Sequence, residues 1–390
     1  MPAPEVYQRI SRLLAKHIDS KKVSESCIVR LSLYITGLLR ARHGSPAQVA
    51  KALESMQLNG AKSESLERQI RRMENDPGIS VETCFNSLVR QLLLLGKPQE
   101  LLLILDPTLQ EDRIVMVSVN IWYRGRTLPL CWTTWPANCP LKGARFWERI
   151  STLLLQAKQI LPQPMRITCV ADREFGTPAF TDILEKLGWN WVVRVQDQTL
   201  CQDRQGKVSR VRDLVQYPGQ RKKMRGYAFK KAGWRVASVV AYWGHRHARP
   251  MCLVSNLPPS WYLVKIYRQR FPIESSFRDL KSYGWRWEQG QVTNLEHMQR
   301  LLVGMAIATW IVQMMGSWKA REILAQPATG KRHTRAWYGK ISLFQIGLSV
   351  CDLGFLSKLP LFEWLLTDWT EPNWSAQIYA HHAKAYILAL

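Results

Sequence analysis

Apolar positions along the chain change their spacing near residue 97. Before it they recur every three to four residues, the period of helices packed by one face. Ser24 can cap a helix running through Leu39, with Ile28, Leu31, Tyr34, Ile35 and Leu38 on its buried side. Ser45-Pro46 pairs a cap with a proline suited to the first helical position and leads into Ala47–Leu53. Asn59-Gly60 breaks the chain, and a second short helix follows over Ser65–Glu74, carrying Arg68, Arg71 and Arg72. Two short helices around a turn, arginines on the second, suit a helix-turn-helix that lays that helix in the DNA major groove. They suit equally an ordinary bundle pair with solvated arginines.

After Lys97-Pro98 the pattern becomes that of an α/β domain. Strands are predicted over Glu100–Leu105, Arg113–Trp122 and Arg126–Trp135, the first ending at the turn Asp106-Pro107-Thr108 and the last two joined at Tyr123-Arg124-Gly125. A helix over Ala144–Ile160 follows, with Phe146, Ile150, Leu154 and Leu155 as its core face, and then a strand over Arg166–Ala171. A helix over Pro178–Leu187 and a strand over Trp189–Val195 complete this part. That order implies a mixed sheet with helices packed on it. Residues 197–249 alternate in short segments with glycines at turns, a β-rich insertion. Beyond it come a strand over Met251–Ser255, a helical stretch from Ser260 to Tyr283 broken at Pro272, and a buried helix over Asn294–Met315. The divisions are therefore 1–97, 98–196, 197–249, 250–316 and a C-terminal helical region 317–390 suited to dimerisation.

Composition narrows the partners. The 390 residues carry 54 Lys+Arg against 30 Asp+Glu, a net charge of +24, with 46% hydrophobic residues, too apolar for a disordered basic tail. The longest apolar run, Leu301–Val312, contains Gly304 and Thr309 and is shorter than a spanning helix, so no membrane partner is expected. No charged-then-apolar signal segment opens the chain, and a cytoplasmic, nucleoid-associated protein is the expectation. Residues 201–250 hold 13 basic side chains against two acids, with Tyr217, Tyr227, Phe229 and Trp234 among them. Cations interleaved with aromatics grip phosphate and stack on bases, so DNA is the expected partner. The eight cysteines include no CxxC pair and read as reduced core thiols. His245 and His247, on one side of a strand, lack a Cys or carboxylate neighbour and suit DNA contact or plain surface.

Two aspartates end apolar strands, Asp106 after Leu-Leu-Leu-Ile-Leu and Asp172 after Ile-Thr-Cys-Val-Ala. Either suits a metal ligand, a turn or a cap. On one helix at ~100° per residue, Tyr267, Arg270, Glu274 and Lys281 fall within about 60° of arc. Ile273, Phe277 and Leu280 form an apolar stripe beside them.

The spacing Tyr-x2-Arg-x3-Glu-x6-Lys resembles the YREK signature of DDE transposases of bacterial insertion sequences, the IS-four group. Ala171-Asp172-Arg173-x-Phe175 is similar to that group's second-aspartate motif, with Glu174 where glycine is common. Asp106 stands at the place of the first aspartate, and Arg194 matches an arginine on the strand after the second. The resemblance covers residues 45 to about 315. It implies an RNase H-like mixed sheet with flanking helices, interrupted by the β-rich insertion and preceded by an all-α DNA-binding domain.

Under it, Asp106, Asp172 and Glu274 are the catalytic residues and the ligands of two Mg²⁺ ions, with Mn²⁺ as a substitute. Tyr267, Arg270, Lys281 and Arg194 bind DNA at the cleavage site, Arg68, Arg71 and Arg72 bind it through the helix pair, and Lys222, Lys223 and Arg225 bind it in the insertion. Relatives pass through a DNA hairpin with a base turned out of the stack, for which Trp234 and Trp243 are candidates beside a core-packing role. The implied activity is cut-and-paste transposition by at least a dimer on inverted repeats. A non-catalytic repressor or scaffold descended from such an enzyme, and a general RNase H or nuclease, are the rival readings.

Overall fold

The computed structural model describes residues 3–19, 21–325 and 342–352. Most of the expected region 317–390 lies outside them. The first hundred residues are helical: α1 (Ala3–His17), α2 (Glu25–Ala41), α3 (Pro46–Ser55), α4 (Ser63–Glu74), a single π turn at Val81–Phe85, and α5 (Asn86–Gly96). The predicted cap is present, since the Ser24 side chain accepts from the Cys27 amide. Pro46 takes the first turn of α3, although Ser45 makes no side-chain cap bond.

Ten strands then form one continuous sheet in the order β3-β2-β1-β4-β5-β10-β9-β8-β6-β7. β1 (Glu100–Gln110), β2 (Ile114–Tyr123) and β3 (Arg126–Pro136) are antiparallel, and β4 (Arg166–Ala171) and β5 (Asn190–Arg194) follow parallel to β1. The β2–β3 turn is a two-residue hairpin in which Arg124 (φ 48°) and Gly125 (φ 77°) both take left-handed backbone, as that turn demands. β6 (Leu200–Gln202), β7 (Val208–Arg210), β8 (Arg221–Ala228) and β9 (Arg235–Tyr242) come from the insertion. β10 (Met251–Ser255) is antiparallel to both β5 and β9, so the insertion lengthens the main sheet.

Four expectations are corrected here. β1 does not stop at Asp106-Pro107 but runs to Gln110, because residues 106–110 pair only with β2 and β4 has ended beside Leu105. On that open edge the missing amide of Pro107 breaks no ladder bond. In α6 (Gly143–Ile160), Leu155 is exposed at 49%, and Ile150, Leu153, Leu154 and Ala157 form the core face instead. His245 and His247 lie in the turn after β9 rather than on a strand. All eight cysteines are free, but Cys139 is exposed and Cys351 only half-buried.

α7 (Pro178–Lys186) and α6 cover one face of the sheet together with the N-terminal helices and α10 (Leu295–Ala325). α8 (Tyr262–Arg268) and α9 (Pro272–Arg278) cover the other, over a second apolar cluster. α10 passes unbroken through Gly304, Thr309 and position 316, and its stretch Leu295–Ala320 is long and apolar enough to cross a membrane. That stretch is 89% buried inside the protein, the position of a core helix. α11 (Leu343–Asp352) packs against it.

Candidate active site

Strand alternation sets the site. Leu102 and Ile104 on β1, Val170 on β4 and Val192 on β5 point into the cluster under α8 and α9. Two residues further along, the same parity directs Asp106, Asp172 and Arg194 to that face. Leu105 pairs with Ala171 in the last rung of the parallel ladder, so the two aspartates leave adjacent strands side by side.

The turn after Asp172 is pinned from both sides. Phe175 packs among Phe146, Trp147 and Phe180. Gly176 lies so close to β5 that a Cβ there would stand 2.1 Å from the Arg194 carbonyl.

The helical motif reaches these aspartates through two side chains. Tyr267, fully buried, donates its hydroxyl to Asp172 Oδ1 at 3.1 Å. Arg270, 7% exposed, donates from Nη1 to Asp106 Oδ2 at 2.9 Å and from Nη2 to Glu274 Oε1 at 3.2 Å. All three carboxylates are thus tied to one stretch of chain. Glu274 opens to solvent, whereas Asp106 is buried.

Burial pushes the Asp106 carboxyl up to about 7 against the pull of Arg270, and the charges of Asp172, Glu274 and Glu174 push it the same way. Burial likewise pushes Tyr267 up to about 12, so it stays a donor at neutral pH. Glu174 and Arg194 both act electrostatically on this cluster, Arg194 by lowering Tyr267. Phe271 was not singled out by spacing. Its ring, 43% exposed, stands edge-on to Tyr267 with Arg270 over it at 5.5 Å, and only the tertiary fold reveals it at the mouth of the site.

The other expected residues separate into two groups. Lys281 lies in a π turn, Asp279–Tyr283, after α9, and pairs with Glu288 at 3.0 Å instead of joining the carboxylates. Trp243 follows β9 at the carboxylate end of the sheet, half-buried, with its indole donating to the His247 carbonyl. Trp234 precedes β9, about 26 Å of strand away at the opposite end.

Lys223 lies 5.6 Å from the Trp261 ring centre, under which Arg221 also packs at 4.9 Å. Arg225 is held by Ser238 and the Asn256 carbonyl, and Lys222 is exposed on the opposite face of β8. Arg68 and Arg72 are exposed on α4, and Arg71 forks onto Glu67 at 2.7 and 2.9 Å.

The donor set, three carboxylates with Glu174 nearby, suits a hard divalent cation. Arg270 now supplies their counter-charge, and no three His, Cys, Asp or Glu among the described residues are spaced to hold an ion.

Residues 150–311 match the family model described as a transposase DDE domain. The match contains Asp172, Tyr267, Arg270, Glu274 and Lys281, and Asp106 precedes it. No curated protein matches the chain. Nine solved chains do, among them a piggyBac transposase synaptic complex with hairpin DNA determined by cryo-electron microscopy. Its likeness to this chain is 12% identity over 87% of this chain and 82% of that one, with a TM-score of 0.43.

Proposed function

We propose that this protein is a DDE transposase of the YREK-bearing insertion-sequence group, which excises its element by DNA cleavage and joins the ends to a target. The observation that carries this reading is the convergence of Asp106, Asp172 and Glu274, from β1, the end of β4 and α9, on Tyr267 and Arg270. The transposase DDE match over residues 150–311 supports it independently. The order β3-β2-β1-β4-β5, antiparallel then parallel, supports an RNase H-like core.

Asp106, Asp172 and Glu274 would hold two Mg²⁺ ions, which supply an activated hydroxyl and a counter-charge for the leaving oxygen. The protein's own groups do the rest. Tyr267 fixes Asp172 by its hydroxyl, and Arg270 is placed to move from the carboxylates to a phosphate of the element's end, as its planar fork allows. Arg194 adds positive charge beside the same phosphate. Phe271 and Trp243 stand at the right end of the sheet to stack on a displaced base. α3 and α4 form the DNA-binding pair, presenting Arg68 and Arg72, and two copies act together on paired ends in the cytoplasm.

A labelled duplex carrying the gene's flanking inverted repeat, incubated with protein and Mg²⁺, tests the reading. Wild type should bind and nick it, and Glu274→Gln should bind without nicking. Binding with no nicking by wild type would favour the non-catalytic repressor or scaffold. Equal cleavage of any duplex or hybrid would favour a general nuclease.

A further inference from the structure

A cleft of about 730 Å³ separates the start of α3 and the end of α4 from the segment 286–298 that follows the Lys281 turn. Among its lining residues Gln48, Arg71, Arg286, Gln289, Gln291 and Asn294 are all exposed. The side chains of Gln48, Arg286 and Gln291 make no hydrogen bond or ion pair within the described residues. Amides and guanidinium groups are the side chains that read adenine and guanine edges in pairs of hydrogen bonds. The first turn of α3, ten residues long and without a side-chain cap, adds unpaired amides suited to a phosphate. Glu74 is the one acidic side chain in the lining.

Both walls are fixed. The Gly44 amide donates to the Trp285 carbonyl at 2.6 Å, and His43 meets Gln289 at 3.2 Å. Gln110 donates to the Trp287 carbonyl at 2.8 Å, and Arg113 to that of Gly290 at 3.0 Å. Gln110 ends the strand that carries Asp106, four residues on, so one wall stands about 13 Å along β1 from the carboxylates. At ~3.4 Å per base step, that is roughly four base pairs of B-form DNA.

Resting on the transposase reading above, we infer that this cleft reads the sequence of the element's end from about the fourth base pair beyond the cleaved bond. Arg286 and Gln291 are the specificity-determining residues. The site of reading is then the seam between the helical unit and the catalytic domain, in addition to the outer face of α4.

The test is selection from a random-sequence duplex library by wild type, Arg286→Asn and Gln291→Ala, followed by mapping of the Mg²⁺-dependent nick on the enriched duplex. Asparagine is chosen because Arg286 has left-handed backbone (φ 48°). Wild type should enrich a defined sequence whose specified pairs begin about four from the nick. Each variant should lose preference at one or two of those pairs, about tenfold to a hundredfold, with its melting temperature unchanged. The inference is overturned if wild type enriches nothing, if the variants enrich the same sequence equally, or if they weaken all sequences alike. Failure of wild type to nick overturns the transposase reading instead, and leaves the variants' altered selection readable.

Discussion

Tyr267 and Arg270 are the residues on which the site turns. The buried phenol of Tyr267 on α8 donates to Asp172 and lies beside Arg270, so Tyr267→Phe removes the bond to that carboxylate without leaving a cavity. Hydrogen bonds to charged groups contribute about 1.5–3 kcal/mol, so nicking should fall roughly tenfold to a hundredfold while duplex binding is unchanged, as single-turnover and gel-shift assays would show. Glu74 provides a pH test away from the chemistry. Its side chain is 3% exposed with Oε1 unpartnered, and burial pushes it up to about 7, with Arg71 opposing and Glu67 adding to the shift. Between its ordinary value near 4.5 and 7 the folded chain holds a proton that the unfolded chain releases. Stability should therefore fall as pH rises through that window, by at most about 3 kcal/mol, and then level off. Calorimetry of Glu74→Gln should show wild-type stability at pH 5 and a higher melting temperature at pH 8.

At the scale of elements, the half of the fold that carries the candidate site is legible because its signals are local. Apolar runs followed by aspartate mark the end of β4 and the point on β1 where the parallel ladder stops, and a three-to-four-residue period puts Tyr267, Arg270 and Glu274 on one side despite the break at Pro272. Lys281 departs from that face because a π turn inserts a residue's worth of rotation after α9, which side-chain periodicity does not register. Trp234 and Trp243 look alike in a basic run, and only the direction of β9 puts one near the carboxylates and the other far away. The extension of β1 past Pro107 depends on β4 being short, a tertiary fact. Gly176 shows how tightly these elements meet: Gly176→Ala should push the Asp172 turn off β5. We expect a loss of about 1–3 kcal/mol in denaturant unfolding and a larger proportional loss of nicking than of binding.

Across the whole molecule the net charge of +24 acquires a direction. Alternation on β8 places Arg221 and Lys223 on the face shared with α8, where Arg268 also lies, 5.2 Å over Tyr242. Replacing these three by alanine should flatten the dependence of log affinity on log salt by up to about 2.7, near 0.9 per phosphate contact, in binding titrations across a salt series. The insertion that carries Arg221 and Lys223 is not a detached arm, because β10 is hydrogen-bonded to β5 on one side and to β9 on the other. For anyone hoping to trim or transplant the insertion as a cassette, this continuity is decisive. Cutting out 197–249 would strip β10 of its outer neighbour, bare a hydrophobic edge and invite intermolecular strand addition, so the trimmed protein should be recovered as aggregate rather than as a smaller enzyme.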